Sequence, residues 1–165
     1  LVATRPSFRF HMDCATHPWM RSTNAFRLLE DTMLRSFTIE IRVRYHEVDG
    51  QGRVHHAQYL NYFERGRVEM LREFGHNYKD LEASGFMLVI RRMEVDYLFP
   101  AEFDDVLALT TTVIRSRGAR IEHAYSLIRT SDNITIVQAK SLIACVDRTG
   151  AARRLPSYLQ WPDEL

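Results

Sequence analysis

From Phe37 to Tyr45 the chain alternates without a break: Phe37, Ile39, Ile41, Val43 and Tyr45 against Thr38, Glu40, Arg42 and Arg44. A period of two puts one set of side chains on a buried face, so the stretch predicts a half-buried strand. Asp49-Gly50 and Gly52 then call for a loop. From Ala57 the period changes. Tyr59, Leu60, Phe63, Met70, Leu71 and Phe74 fall on one face of a helix that runs to Gly75, a natural C-terminal stop. Gly66 sits inside that helix near the apolar face. Glycine there costs about 1 kcal/mol relative to alanine, so its presence predicts a close approach of helix and sheet.

The remaining chain reads as a short helix and four strands. The helix covers Tyr78 to Ala83 and stops at Ser84-Gly85. The strands run Phe86 to Phe99, Val106 to Arg115, Ile121 to Thr130 and Ile134 to Val146. Pro100, Gly118, the Ser131-Asp132-Asn133 cluster and Asp147 to Gly150 punctuate them. Pro156 and Pro162 predict a loop or a short final turn in the tail. One long helix followed by hairpin-linked strands is best accommodated by a single antiparallel sheet curled around that helix. Such a sheet leaves a face and an edge seeking cover, which predicts a homodimer or homotetramer.

The first 35 residues carry no such pattern. They hold Arg5, Arg9, Arg21 and Arg27 against Asp13 alone before Glu30, and they lack the apolar core of a secretory signal. We read residues 1–35 as an extension, 36–156 as the domain and 157–165 as a tail. A short helix over 24–34, capped by Asn24, is compatible with the pattern. The arginine bias raises organelle targeting as the alternative to a cytoplasmic protein.

Composition narrows the function. The 165 residues fit one ordinary domain. Lys and Arg number 22 against 21 Asp and Glu, a balance that disfavours a nucleic-acid-binding protein. No run approaches a transmembrane length. The two cysteines, Cys14 and Cys145, have neither the number nor the spacing of a disulfide scaffold or a zinc site, which fits a reducing compartment.

Reactive groups crowd between the first strand and the helix, in Tyr45-His46-Glu47-Val48-Asp49-Gly50-Gln51-Gly52-Arg53-Val54-His55-His56. A carboxylate among glycines can meet a ligand closely, and can act as nucleophile or activate water. A neutral histidine at a helix start, together with the helix N–H groups, suits a developing oxyanion. Asp-Gly is also an ordinary turn, and one of the paired histidines is expected to be a capping or surface residue. His46, Asp49, His55 and His56 could converge on a metal, but their spacing is that of no zinc site, so no metal is expected.

The stretch Val43 to Tyr59 resembles the signature of the hotdog-fold acyl-CoA thioesterases, in particular the YbgC-type, Tol-Pal-associated group related to 4-hydroxybenzoyl-CoA thioesterase. The likeness continues through Phe63-Glu64-Arg65-Gly66-Arg67-Val68-Glu69-Met70-Leu71-Arg72, Val89 to Ala101, Asp104-Asp105, Ser116-Arg117-Gly118 and Cys145-Val146-Asp147. It spans about Phe37 to Pro156. The resemblance implies an α+β hotdog fold, a five-stranded antiparallel sheet around one central helix. It also implies hydrolysis of a thioester to a free acid and CoA, with no cofactor beyond the CoA of the substrate. By position, Asp49 matches the catalytic carboxylate, His56 the histidine at the helix start and Tyr45 a tyrosine near the site. His55 stands where that group often has an aromatic residue and Arg53 where it often has an apolar one, so the mouth of the site is more polar.

Glu64 and Arg67 lie three residues apart and can pair on the helix. Some relatives in the wider superfamily use a helix carboxylate, which makes Glu64 the reserve catalytic candidate. A buried ion pair fixing the helix is the competing reading. Arg115, Arg117 and Arg120 surround the Gly118 turn, where they could hold CoA phosphates or form a solvated hairpin tip. The expected partner is acyl-CoA, with acyl carrier protein as a second possible thioester carrier. The rival functions are a hotdog hydratase and a non-catalytic acyl-CoA-binding protein. The spacing of Asp49 and His56 disfavours the first, and the presence of Asp49 the second.

Overall fold

The computed structural model describes residues 35–161. The expected extension up to residue 34, its short helix and any targeting signal lie outside the described residues. Within them the chain forms β1 (Ser36–Arg42), α1 (Gln58–Glu73), α2 (Tyr78–Ala83), β2 (Met87–Tyr97), β3 (Val106–Arg117), β4 (Arg120–Arg129) and β5 (Ile134–Val146), with short 3₁₀ turns at Tyr45–Glu47 and Ser157–Leu159. One five-stranded sheet, ordered β1-β3-β4-β5-β2 and antiparallel at every pairing, holds all the strands. The helix lies against one face of it, in the hotdog arrangement.

The first strand ends earlier than its alternation predicts. After Arg42 the Val43 N–H donates to the Asp105 carbonyl, and Tyr45–Glu47 winds into a 3₁₀ turn. The Glu47 carboxylate accepts from the Arg44 N–H at 2.7 Å and caps that turn. Tyr45 is therefore not an inward strand residue. It is 79% exposed. The alternation is blind to this, because the turn is made by partners outside the strand.

Two apolar clusters stack along the helix. Tyr59, Tyr62 and Phe63, from its first half, pack with Ile41, Val43, Leu107, Leu109, Leu127 and Ile136. Met70, from its last half, and the partly buried Phe74, its C-cap, pack with Val113, Ile121, Ile143, Cys145 and Leu155. The helix stops as Gly75 predicts. Gly75 takes φ +82°, its N–H donates to the Arg72 carbonyl and the His76 N–H donates to the Leu71 carbonyl. This is a Schellman cap, which glycine adopts without strain.

Gly66 is where helix and sheet meet most closely. A Cβ on it would stand 2.4 Å from Thr111 Oγ1 and 2.8 Å from Leu109 Cδ2. Both neighbours are buried, and Thr111 is β-branched and stiff. Overpacking of this kind typically costs about 1–3 kcal/mol, while alanine returns about 1 kcal/mol of helix propensity. Gly66→Ala is therefore expected to lose stability by about 1–2 kcal/mol, read as a lower urea midpoint at unchanged slope. A higher midpoint would mean that helix and sheet separate readily there.

Candidate active site

The loop between β1 and α1 is held from three sides. Val48 and Val54 form an antiparallel bridge, closed by Asp49 N–H to the Arg53 carbonyl at 2.8 Å. Val54 N–H donates to the Ala101 carbonyl, and Arg53 bridges to Glu102. Glu47 supplies the third tie. Its carbonyl accepts from the His55 N–H, and its carboxylate accepts from the Tyr62 hydroxyl at 2.7 Å. Burial and the neighbouring Glu47 carboxylate push the Tyr62 hydroxyl well above the usual phenol range, so it stays a donor. Nothing in the sequence singles out Glu47 and Tyr62. A carboxylate just after a strand and an aromatic on the first turns of the helix are both ordinary there, and only folding brings them together.

Tyr62→Phe deletes one partner of a half-buried carboxylate. The expected result is a loss of about 1–2 kcal/mol, together with faster amide exchange over residues 47–55. Unchanged exchange would mean that the backbone bridges hold the loop alone.

Asp49 is half-buried at the tip of this bridged loop. Its Oδ1 accepts from the Gln51 N–H at 2.8 Å, a side-chain turn that holds the carboxylate. Gly52 takes φ +74°, and its N–H donates to the Asp49 carbonyl. The two histidines divide their work. His55 lies two residues before the helix N-cap and shapes the approach to it: its Nδ1 accepts from the Ala57 N–H, and its carbonyl accepts from the Gln58 N–H. His56 is exposed, with its ring 4.2 Å from that of His55 and its carbonyl accepting from the Tyr97 hydroxyl.

The helix starts at Gln58, with Ala57 as its N-cap and no acidic residue in the first turn. Its positive end is thus uncompensated by any nearby carboxylate of its own. Tyr45 stands beside the loop, edge-on to Phe103 at 5.6 Å between ring centres. Asp49, His56 and Tyr45 consequently share one end of the sheet, together with the exposed aromatics Tyr97, Phe99 and Phe103.

Other candidates lie elsewhere. Glu64 is exposed on α1. The ion pair that its spacing with Arg67 suggests does not form among the described residues. Arg67 is only 6% exposed, and its guanidinium donates instead to the Tyr125 hydroxyl at 3.0 Å. Their positions on the helix point Glu64 to solvent and Arg67 into the sheet.

Arg115, Arg117 and Arg120 are exposed around the β3–β4 turn, with Arg117 opposite Arg120 in register. Val106, at the other end of β3, pairs with Arg42 just before the loop that carries Asp49. The length of β3, 12 residues, separates the arginines from Asp49. At 3.3 Å per residue this is roughly 35–40 Å of strand. Among the described residues no three His, Cys, Asp or Glu side chains gather as metal ligands. No helix there is long and apolar enough to cross a membrane.

The profile of the thioesterase-like superfamily matches residues 43–163. The chain belongs to the thioesterase-like superfamily. It is 34% identical over 111 residues to the acyl-CoA thioester hydrolase YbgC of Escherichia coli O6:H1, covering 67% of this chain and 82% of that protein. It is 35% identical over 112 residues to the acyl-CoA thioesterase YbgC of Haemophilus influenzae, covering 67% of this chain and 81% of that one. A probable thioesterase from Bartonella henselae superposes with a TM-score of 0.69 at 36% identity, over 73% of this chain and 99% of its own. This superfamily member is a thioester hydrolase with the hotdog fold. Its matched segment begins one residue before the 3₁₀ turn's N-cap, Arg44, and contains the whole loop that carries Asp49.

Proposed function

We propose that this thioesterase hydrolyses acyl-CoA to a free acid and CoA, with Asp49 as its catalytic carboxylate. The observation that carries the reading is the half-buried Asp49, held by a local turn on a bridged loop that leads into an uncompensated helix start. Asp49 attacks the thioester carbonyl as nucleophile, or takes a proton from the water that does so. Oxyanion charge then develops on the carbonyl oxygen, near His56 and the positive end of α1. Collapse of the tetrahedral centre breaks the C–S bond, and the CoA thiolate leaves and takes up a proton; on the nucleophile route water then hydrolyses the Asp49–acyl anhydride, which frees the acid and restores the carboxylate. Tyr45 lies at the same mouth and is assigned to positioning the substrate. The exposed apolar surface of Tyr97, Phe99 and Phe103 suits the acyl group.

The distance along β3 shapes the rest of the reading. One chain cannot bring Arg115, Arg117 and Arg120 to the thioester that its own Asp49 attacks. If these arginines hold CoA phosphates, a second copy of the chain supplies them, in keeping with the expected homodimer or homotetramer. Among the described residues both sheet edges, β1 and β2, are open to such pairing. Glu64 stays the reserve catalytic group.

The test is thiol release from a panel of short, long and aromatic acyl-CoAs, run beside the same acyl groups on acyl carrier protein. Release from acyl-CoA supports the reading, and the preferred acyl group defines the pocket. Release from the carrier protein alone moves the substrate class to protein-bound thioesters. Release from neither removes the catalytic reading.

A further inference from the structure

The last half of α1 covers a cavity that the proposed mechanism does not use. It lies about ten residues along the helix from the loop that carries Asp49, roughly 15 Å at 1.5 Å per residue. Its volume is about 40 Å³, small enough that a ligand's body must reach toward its open side. The walls are mostly apolar: Met70, Phe74, Leu88 and Trp161 among others. Four polar side chains break the apolar lining, Tyr78, Ser116, Arg67 and His123, and the last two are the ionisable nitrogen groups.

Both are unusual where they stand. Arg67 is 6% exposed and His123 4% exposed. The partners of the Arg67 guanidinium are the hydroxyls of Tyr125 and Tyr78, which are neutral. Tyr125 passes the network on to Ser141 Oγ at 2.8 Å. No carboxylate pairs with Arg67 among the described residues. Glu64 is a turn away and exposed. A guanidinium carries five donors in a planar fork, and a buried one is stable only with compensation. His123 Nδ1 is buried and has no hydrogen-bond partner among the described residues. A permanent cation and an unmet imidazole nitrogen thus line one mostly apolar chamber.

We propose that this cavity binds a monocarboxylate, its two oxygens meeting Arg67 and His123 and its short aliphatic or aromatic body lying against Phe74 and Trp161. A carboxylate matches the guanidinium fork in shape and charge. A neutral His123 in its Nδ1–H tautomer supplies one further donor, which a bound anion accepts. The apolar walls accept a hydrocarbon body and reject a second charge. The link to turnover rests on the function proposed above, because thioester hydrolysis releases a carboxylic acid. Bound this far from Asp49, such an acid would report product level without occupying the catalytic loop. The binding itself does not depend on catalysis.

The test uses the intact protein without any thioester. Acetate, butyrate, hexanoate and benzoate are titrated by calorimetry beside the matching neutral amides. Nuclear Overhauser contacts from the bound acid to the Trp161 and Phe74 rings are then sought in the wild type. Saturable binding of at least one acid, tenfold or more tighter than its amide and with contacts to those rings, supports the proposal. Arg67→Met should weaken that binding at least tenfold. If that variant does not fold, His123→Phe and the ring contacts carry the test. Asp49→Asn should bind as the wild type does, which separates this cavity from the catalytic loop. Equal affinity for acid and amide, ring contacts missing at saturation, or no binding at all would each overturn the proposal and leave a cavity that holds only water.

Discussion

Asp49→Asn is expected to lower kcat/KM for thiol release at least about a hundredfold. The size follows from the step removed. Losing a general base or a nucleophile typically costs about 10²–10⁴ in rate, and a carboxamide can play neither part. The choice of asparagine matters here. Asp49 Oδ1 accepts from the Gln51 N–H, and an asparagine oxygen can accept the same bond. The turn survives and only the charge is lost, whereas Asp49→Ala would loosen the loop as well. Stability of Asp49→Asn should therefore stay within about 0.5 kcal/mol of the wild type, as for most replacements that leave packing intact. A single turnover in ¹⁸O-labelled water separates the two roles. Label found in the Asp49 carboxylate means nucleophilic attack; when the label is in the released acid alone, trapping with hydroxylamine decides, because an acyl–Asp49 anhydride is captured and activated water leaves nothing to capture. If the Asp49→Asn enzyme keeps full activity, catalysis belongs elsewhere, and Glu64→Gln is the next variant to make.

The second prediction concerns acid. Burial, with the Arg67 charge next in importance, lowers the His123 pKa from its usual value of 6.5 to about 3. The unfolded chain binds a proton at His123 near pH 6.5, and the folded protein resists it until about pH 3. Between these values the unfolded state holds more protons, so stability falls as pH falls. The contribution is fully present above pH 6.5 and is lost on the way down. Each pH unit inside the window removes up to about 1.4 kcal/mol. Going from pH 6.5 to 4.5 should thus remove roughly 2–3 kcal/mol, a large share of the stability of a small domain. The lowered carboxyl groups of Asp132 and Asp147 act in the same direction but below their usual value of 3.8. They do not confuse the window. Urea unfolding at pH 6.5, 5.5 and 4.5 gives the slope directly, and His123→Gln should flatten it. A slope that the variant leaves unchanged would assign the acid sensitivity to another group.

Local pattern was enough for the elements. The strict alternation of β1, the β-branched runs of β3 to β5 and the helical stripe of α1 each need nothing beyond neighbours in sequence. For that reason α2 and β5 lie where the pattern puts them, and α1 starts and stops within two residues of it. Gly66 belongs to the same class, since a glycine inside a good helix pattern already says that something comes close. The loop's candidate groups were legible too, because Asp49, its glycines and the two histidines are contiguous. Their resemblance to the hotdog thioesterases agrees with the family match over residues 43–163.

Three matters were decided by the folded chain alone. Tyr45 turns outward because Glu47 caps a 3₁₀ turn and reaches Tyr62, a contact between residues 15 apart. Arg67 is buried without Glu64 because Tyr125, a strand away, receives its donor. The arginines of the β3–β4 turn stand a full strand from Asp49, since antiparallel pairing with β1 sends β3 away from the loop. Each depends on long-range register and on which partner a polar group finds once water is excluded. Periodicity, propensity and spacing report only what a segment prefers by itself, so element type was written in the order of residues while partnership waited for the fold.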